Sequence, residues 1–205
     1  MKKKKLDKKV WRKRLNKRLK LYHLACRVVA LLAVIVLLPL KILLITSIII
    51  EHFFRDGGIS SPFATQLRLT QGKGFIILKF KTRLQNGNLS LTGHVLRKWY
   101  LDELPQLINI LKGDMVFVGP RPHPVKEYKQ VRQMGFQAKI ILKAGLTGGV
   151  QAAKGSERTG DLFLDEDYLH FCVQSSAFEI ILADLKTILT TVQVVLRGQG
   201  LYFGG

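Results

Sequence analysis

The feature that most constrains this chain is an apolar run at residues 24–50, LACRVVALLAVIVLLPLKILLITSIII. Arg27 and Lys41 are its only charged residues. Apolar side chains would lie on every face of a helix here, whereas a helix on the surface of a small globular domain has one apolar stripe. The run is long enough to cross a bilayer, and it is longer than the apolar part of a cleaved signal peptide. We therefore predict a membrane helix over residues 24–50.

Positive charge flanks this membrane helix on both sides. Residues 1–23 contain 12 Lys or Arg and one Asp, and residues 51–205 contain 19 Lys or Arg and 13 Asp or Glu. The positive-inside rule then places both flanks in the cytoplasm, although long domains weaken the rule. Pro39 lies near the middle of the run and interrupts helical hydrogen bonding there. These observations favour a re-entrant helix that breaks at Pro39, and a straight span is the alternative.

The formal net charge of +19 favours anionic partners. In residues 1–23, Leu15 and Leu19 are interleaved with Lys and Arg, which predicts a basic helix on the anionic lipids of the inner leaflet. A nucleic-acid arm is the alternative. We predict no nucleic-acid partner, because the apolar run follows directly and the chain carries no recognisable nucleic-acid-binding motif. Cys26 and Cys172 form neither a disulfide framework nor a metal-ligand pattern.

Two adjacent carboxylates, Asp102 and Glu103, begin a short amphipathic pattern. Apolar residues follow at positions 104, 107, 108 and 111, and Gly113 ends the pattern, so we predict a helix with the two acids at its start. Acidic residues are common at helix starts, and this is the simplest interpretation. Paired carboxylates among Arg and Lys also suit Mg²⁺ with a phosphorylated ligand, and an Asp can be a nucleophile on a phosphoryl group. The residues alone would equally permit a metal-dependent hydrolase.

Residues 51–205 predict a small α+β domain that is mostly helical and has one short β-hairpin. Arg121 lies among three prolines, in a rigid loop where it loses little entropy on binding a phosphate. The last predicted helix carries an apolar stripe that either packs in the core or rests on the membrane surface. The predicted hairpin strands are Phe63–Leu69 and Gly74–Phe80, the predicted helices are Gly93–Trp99, Val125–Ile141 and Ala177–Arg197, and Lys143–Gly149 is predicted as a Gly-rich loop.

The run RKWYLDELPQLINILKGDMVFVGPRP, at residues 97–122, resembles the signature of the bacterial sugar transferases, the monotopic phosphoglycosyl transferases. The similarity extends over about residues 24–200. Further matching pieces occur in the family's order, and they are the membrane segment with a central Pro, DGG followed by Q-x-R, KFKT at Lys79–Thr82, KAGLTGGVQ at 143–151 and Asp-x-x-Tyr at Asp165–Tyr168.

This resemblance implies a re-entrant membrane helix and a small cytoplasmic catalytic domain on the inner membrane of a bacterium. It implies transfer of a sugar-1-phosphate from a UDP-sugar to polyprenyl phosphate, normally undecaprenyl phosphate, with release of UMP. That reaction is the first membrane step in assembling a surface glycan, such as an exopolysaccharide, a capsule, an O-antigen or a glycoprotein glycan. A metal-dependent lipid-phosphate hydrolase and an inactive membrane adaptor of the same fold are the alternatives, and a homodimer is left open.

The resemblance also implies roles for particular residues. Asp102 matches the nucleophile that forms an aspartyl-phosphosugar intermediate, and Glu103 matches a ligand of Mg²⁺. Lys79, Arg97 and Arg121 match basic positions near the phosphates, and Asp165 matches an acid near the site. The family's Asn-Gly-Arg after the Gly-rich loop is absent here, so either Lys154 or Arg158 replaces its cation or sugar recognition differs at this place.

Overall fold

The computed structural model describes residues 8–197, so residues 1–7 of the basic segment and 198–205 of the catalytic segment lie outside it. The described chain is α+β and mostly helical, as predicted. The helices are α1 Lys8–Arg18, α2 Lys20–Val36, α3 Leu38–Asp56, α4 Leu91–Lys98, α5 Gln106–Lys112, α6 Val125–Gln133, α7 Ala138–Ile141, α8 Gly149–Ala152, α9 Phe163–Gln174 and α10 Ala177–Leu196. The strands are β1 Phe63–Thr70, β2 Lys73–Phe80, β3 Met115–Val118 and β4 Ala144–Thr147.

The predicted hairpin is confirmed as the antiparallel pair β1–β2. Its connection is the two-residue turn Gln71–Gly72, with φ of 50° and 76°. Positive φ at both positions is the geometry that matches the right-handed twist of the flanking strands. The hairpin therefore follows from local sequence.

Helix α5 is attached to the free edge of β2 by one buried amide. The Asn109 side chain accepts a hydrogen bond from Leu78 N at 3.1 Å and donates one to Ile76 O at 2.7 Å. Asn109 is fully buried, whereas Ile108, which we predicted on the apolar face, is 37% exposed. The buried face is rotated because strand β2 offers unpaired backbone groups that an amide satisfies and an aliphatic side chain cannot.

The Gly-rich segment 143–149 was predicted as a loop, and this is wrong for Ala144–Thr147. These residues form β4, which pairs in parallel with β3 from Met115↔Ala144 to Val118↔Thr147. A Cβ atom at Gly145 would collide with the backbone of Gly119, so the close approach of the two chains requires glycine. A four-residue strand with a central glycine has no alternating pattern, and only its partner strand defines it.

The predicted single helix Val125–Ile141 is also wrong, because it divides into α6 and α7. Gly135 lies between them with φ of 91°. Glu166 of α9 accepts hydrogen bonds from Gln137 N and Ala138 N and so begins α7. The long-range cap outweighs the continuous amphipathic pattern.

The basic N-terminal segment is not a free surface helix over its described part. Leu15 and Leu19 are 2% and 6% exposed, and they pack against Ile141 and Leu169 of the body. Arg12 Nη1 donates to Gln71 O at 2.8 Å, which joins α1 to the hairpin turn. The predicted boundary at residue 23 falls inside α2.

The predicted helix break lies earlier than Pro39. Helix α2 ends at Val36, Leu37 separates the helices, and Pro39 occupies the first turn of α3. Proline is tolerated there because the N–H that it lacks has no helical partner in a first turn. Within residues 8–197, no single helix has the length and composition of a membrane span, whereas the pair Lys9–Arg18 and Lys20–Val36, bent by 62°, has them jointly.

The apolar stripe of α10 is not core. Its buried residues are Ile180, Asp184 and Val194, and the exposed large side chains of the helix are Phe178, Leu182, Leu185, Leu189, Val192 and Leu196. Helices α2 and α3 expose further apolar side chains, among them Leu24, Leu32, Val36, Leu43 and Phe54. Soluble monomers rarely expose so large an apolar surface.

Candidate active site

The two carboxylates lie in one turn of 3₁₀ helix, Leu101–Glu103, directly before α5. The predicted helix is confirmed, and it ends at Gly113 with φ of 83°. Its N-cap, however, is Pro105, so Asp102 and Glu103 precede the helix instead of capping it. Tyr100 in front of them has a left-handed φ of 55°, a conformation that non-glycine residues rarely adopt. The turn places both carboxylates within 4 Å of Lys79 on β2.

Two of the cationic side chains predicted for the site, Lys79 and Arg121, lie close to the Glu103 carboxylate. Lys79 at the end of β2 lies 2.7 Å from Glu103 Oε1 through its Nζ atom and 3.9 Å from Asp102 Oδ2. Arg121 Nη2 lies 3.8 Å from Glu103 Oε1. Lys79, Asp102, Glu103 and Arg121 are thus brought together from three separate parts of the chain.

The environment separates the two acids electrostatically. Burial and the neighbouring Glu103 raise the pKa of Asp102 to about 6, against the opposing effect of Lys79 and Arg97. Burial also disfavours the ionised form of Glu103, but Lys79 and Arg121 outweigh it and hold the Glu103 pKa below its ordinary value. Glu103 is therefore the firmly ionised member of the pair, and Asp102 is the member whose ionised form is destabilised by its surroundings.

Arg97 and Arg121 both act on the carboxylate pair Asp102 and Glu103, but they belong to different elements of the fold. Arg97 lies in the last turn of α4, just before the carboxylate turn, and its charge favours ionised Asp102. Arg121 lies in the proline loop, which is held against β1 because Leu69 N donates to His123 O at 3.3 Å. The predicted rigid loop therefore places a partly exposed guanidinium over Glu103.

Asp165 does not contact the carboxylate pair. It is 3% exposed, and its Oδ2 lies 2.7 Å from Lys139 Nζ in a buried ion pair. The same Nζ donates to the carbonyl oxygen of Arg121 at 3.4 Å. Asp165 thus stands behind the Arg121 loop and supports it through Lys139.

Sequence patterns only partly identified the remaining cations of the site. Lys154 Nζ lies 4.5 Å from the centre of the Tyr100 ring, and burial together with Arg121 lowers the Lys154 pKa to about 8. Arg158 instead pairs with Asp161 at 2.8 Å, so Lys154 is the member of that candidate pair that the fold brings to the site. Arg68, from the Q-x-R motif, lines the same cleft as Lys79 and Arg121.

Two glutamines line this cleft and were not predicted. Gln106 and Gln151 are 1% and 5% exposed, and neither Gln106 Nε2 nor Gln151 Oε1 has a hydrogen-bond partner in the described chain. Buried polar atoms normally have partners, so unsatisfied ones facing a cleft indicate a place for polar ligand atoms. Gln106 lies within the matching run 97–122 and Gln151 ends the matching run 143–151, but no residue type or spacing within those runs marks either glutamine as a ligand-binding residue.

The donor set suits Mg²⁺ only together with a ligand. Residues 8–197 contain no cluster of three or more His, Cys, Asp or Glu side chains that could enclose a metal ion. Mg²⁺, however, is commonly bound by one or two carboxylates together with substrate phosphates and water. Asp102 and Glu103, beside a strongly cationic cleft, fit that pattern.

Comparison with known protein families covers nearly the whole chain. The sequence model of the family "Bacterial sugar transferase" matches residues 20–198. The chain belongs to the bacterial sugar transferase family, as the sequence motifs predicted.

Individual members of the family are similar to this chain, and some of them are named by the reaction that they catalyse. The chain is 33% identical over 159 residues to the UDP-glucose:undecaprenyl-phosphate glucose-1-phosphate transferase of Caulobacter vibrioides, covering 65% of this chain and 60% of that protein. It is 35% identical over 161 residues to the uncharacterized sugar transferase EpsL of Bacillus subtilis, covering 70% and 74%. It is 29% identical over 204 residues to the UDP-N-acetylgalactosamine-undecaprenyl-phosphate N-acetylgalactosaminephosphotransferase of Aeromonas hydrophila, covering 88% and 45%.

Proposed function

We propose that this protein transfers a sugar-1-phosphate from a UDP-sugar to a polyprenyl phosphate such as undecaprenyl phosphate, releasing UMP. The observation that carries the proposal is the pair Asp102 and Glu103, whose side chains are each 12% exposed and lie next to Lys79 and Arg121. Two relatives named above act, by their names, on UDP-sugars and undecaprenyl phosphate. The product would be the first lipid-linked intermediate of a surface glycan.

In this scheme Asp102 is the nucleophile. A carboxylate oxygen of Asp102 attacks the phosphorus that bears the sugar, an Asp102–phosphorus bond forms, and the bond to UMP breaks with the electron pair leaving on UMP. An oxygen of the lipid phosphate then attacks the same phosphorus, and the bond to Asp102 breaks. The raised pKa of Asp102 means that its carboxylate is poorly stabilised by its surroundings and is therefore more reactive than an exposed one.

The cations make this attack feasible. A diphosphate repels a carboxylate nucleophile unless its charge is offset, and Lys79, Arg97 and Arg121 supply fixed positive charge around the pair. Lys154 is placed to offset charge on the departing UMP or the entering lipid phosphate. Mg²⁺, with Glu103 as a ligand, would supply further neutralisation of the phosphates.

The exposed apolar faces support attachment to the bacterial inner membrane, with the site facing the cytoplasm and anionic inner-leaflet lipids. The side chains that α2, α3 and α10 expose are those that hydrocarbon would cover. A re-entrant path would return both flanks to one side. Labelling of single cysteines placed at the exposed positions Val10 and Asn88 tests this, because labelling from opposite sides would require a straight span.

The central test uses membranes containing the protein, a panel of UDP-sugars and undecaprenyl phosphate. We expect UMP release that requires the lipid phosphate and a lipid-linked sugar phosphate as product, and we expect Asp102→Asn to abolish both. Asp167→Asn is the matched control, since Asp167 is 66% exposed. UMP or sugar phosphate release with water as the only acceptor would replace the transferase by a hydrolase.

A further inference from the structure

A groove with an apolar lining joins the cationic cleft to the exposed face of α10. It has a volume of about 390 Å³. Its walls include Trp99 and Leu104 on one side and Ile188, Val192 and Val195 of α10 on the other. Val192 is also 47% exposed, so the groove is open to the outer face of the helix.

The inner end of the groove is the candidate active site. Glu103, Leu146 and Gln151 line both the groove and the cationic cleft, so the two spaces are continuous. Tyr100 also lines the groove, and its hydroxyl is buried without a hydrogen-bond partner in residues 8–197. Lys154 lies against the ring of that tyrosine. The Tyr100 hydroxyl, a hydrogen-bond donor, and the Lys154 cation therefore lie where the apolar walls of the groove meet the carboxylates.

This combination matches one chemical class of ligand. A molecule that fills the groove needs a hydrocarbon chain along α10 and an anionic head at the end with Tyr100 and Lys154. A protein helix would fill the apolar part but would bring no anion to the cations. A nucleotide sugar would satisfy the cations but would leave the apolar walls exposed. A lipid phosphate satisfies both ends.

We propose that this groove holds the isoprenoid units next to the phosphate of the lipid acceptor, and that α10 thereby selects the acceptor. The inference rests on the proposed function, since it assigns a place to the acceptor of that reaction. The remainder of the lipid would leave the groove past Val192 and join the hydrocarbon that covers the outer face of α10. The donor would occupy the cleft on the Arg68 side, where the unsatisfied glutamines lie.

The test narrows the groove without touching the carboxylates. Val192→Trp places an indole at the groove mouth, and Leu189→Trp is the matched control, because Leu189 is 65% exposed on α10 and does not line the groove. We expect Val192→Trp to raise the KM for undecaprenyl phosphate about tenfold or more, the effect of losing roughly two methylene-sized contacts. The Kd for the UDP-sugar, measured by calorimetry, should stay at the wild-type value in both variants.

Lipid acceptors of different isoprenoid length distinguish occupancy of the groove from a general disturbance of the membrane-facing surface. A phosphate carrying a single isoprenoid unit should be affected less by Val192→Trp than undecaprenyl phosphate is. Equal KM values for undecaprenyl phosphate in Val192→Trp and Leu189→Trp would overturn the proposal. If the wild-type protein transfers to no polyprenyl phosphate at all, the proposed function itself fails, which is a different result.

A second measurement uses lipid labelling of the wild-type protein, so it does not depend on the folding of Val192→Trp. A polyprenyl phosphate with a benzophenone near its phosphate should label the wild-type protein on the peptide containing Val192 or on the one containing Trp99, and excess undecaprenyl phosphate should prevent the labelling. Labelling confined to α3 would overturn the assignment. Efficient disulfide formation between two Val192→Cys chains, with no lipid labelling of α10, would assign the groove to a second copy and would also overturn it.

Discussion

Replacing Asp102 with Asn should abolish transfer and, at the same time, stabilise the fold above pH 6. Asp102 is 8% exposed and lies beside the carboxylate of Glu103, whose side chain is 12% exposed. Asparagine has nearly the same shape but cannot ionise. The substitution therefore removes the nucleophile together with the electrostatic cost of holding it.

The size of the effect follows from the Asp102 pKa, which is about 6 in the fold against an ordinary value of 3.8. The difference is about two pH units, or about 3 kcal/mol at roughly 1.4 kcal/mol per unit. Because the native-state pKa is raised, the fold has its full stability while Asp102 is protonated, below pH 3.8, and it loses this part of its stability as pH rises through 6. Asparagine at position 102 does not ionise, so the variant does not lose this stability. Asp102→Asn should therefore match the wild type near pH 4 and exceed it by about 3 kcal/mol at pH 8.

The assay is denaturant unfolding in detergent between pH 4 and pH 8, with a chelator present so that bound Mg²⁺ does not favour the ionised form. Asp167→Asn serves as the control, and its unfolding free energy should follow the wild type at every pH. A stability difference that does not change between pH 4 and pH 8 would refute the electrostatic argument. Near-normal turnover by Asp102→Asn would refute the covalent scheme.

Three further changes probe the supporting residues. Glu103→Gln should raise the Mg²⁺ concentration needed for half-maximal transfer, measured by metal titration, and should lower the Asp102 pKa, measured by carbon NMR of labelled aspartate. Asp184→Asn should flatten the fall in stability between pH 4 and pH 7, because burial raises the Asp184 pKa to about 6 and this contribution too is lost as pH rises. Lys139→Met should reduce the unfolding free energy by about 3–5 kcal/mol because it leaves Asp165 buried and unpaired, and adding Asp165→Leu should restore most of the loss.

Features defined by neighbouring residues were predictable from the chain alone. The hairpin follows from two β-prone runs on either side of Gln71–Gly72, and the end of α5 follows from Gly113. The charged members of the site, Lys79, Asp102, Glu103 and Arg121, were found because the resemblance rests on contiguous motifs that contain them.

Features defined by a distant partner were not predictable in this way. Strand β4 exists because β3 lies beside it, and α6 and α7 separate because Glu166 caps the second of them. Gln106 and Gln151 become ligand candidates only because they are buried on the same cleft.

The sequence by itself determined the family, the apolar segment and the pair Asp102–Glu103, because each of these is carried by consecutive residues. Only the tertiary structure decided that Lys79 and Arg121 meet Glu103, that Asp165 supports the Arg121 loop through Lys139, and that the stripe of α10 faces outward. The physical reason is that charge and burial depend on distance in space. The pKa of Asp102 is raised by neighbours and by exclusion of water, and neither can be read from the order of residues along the chain.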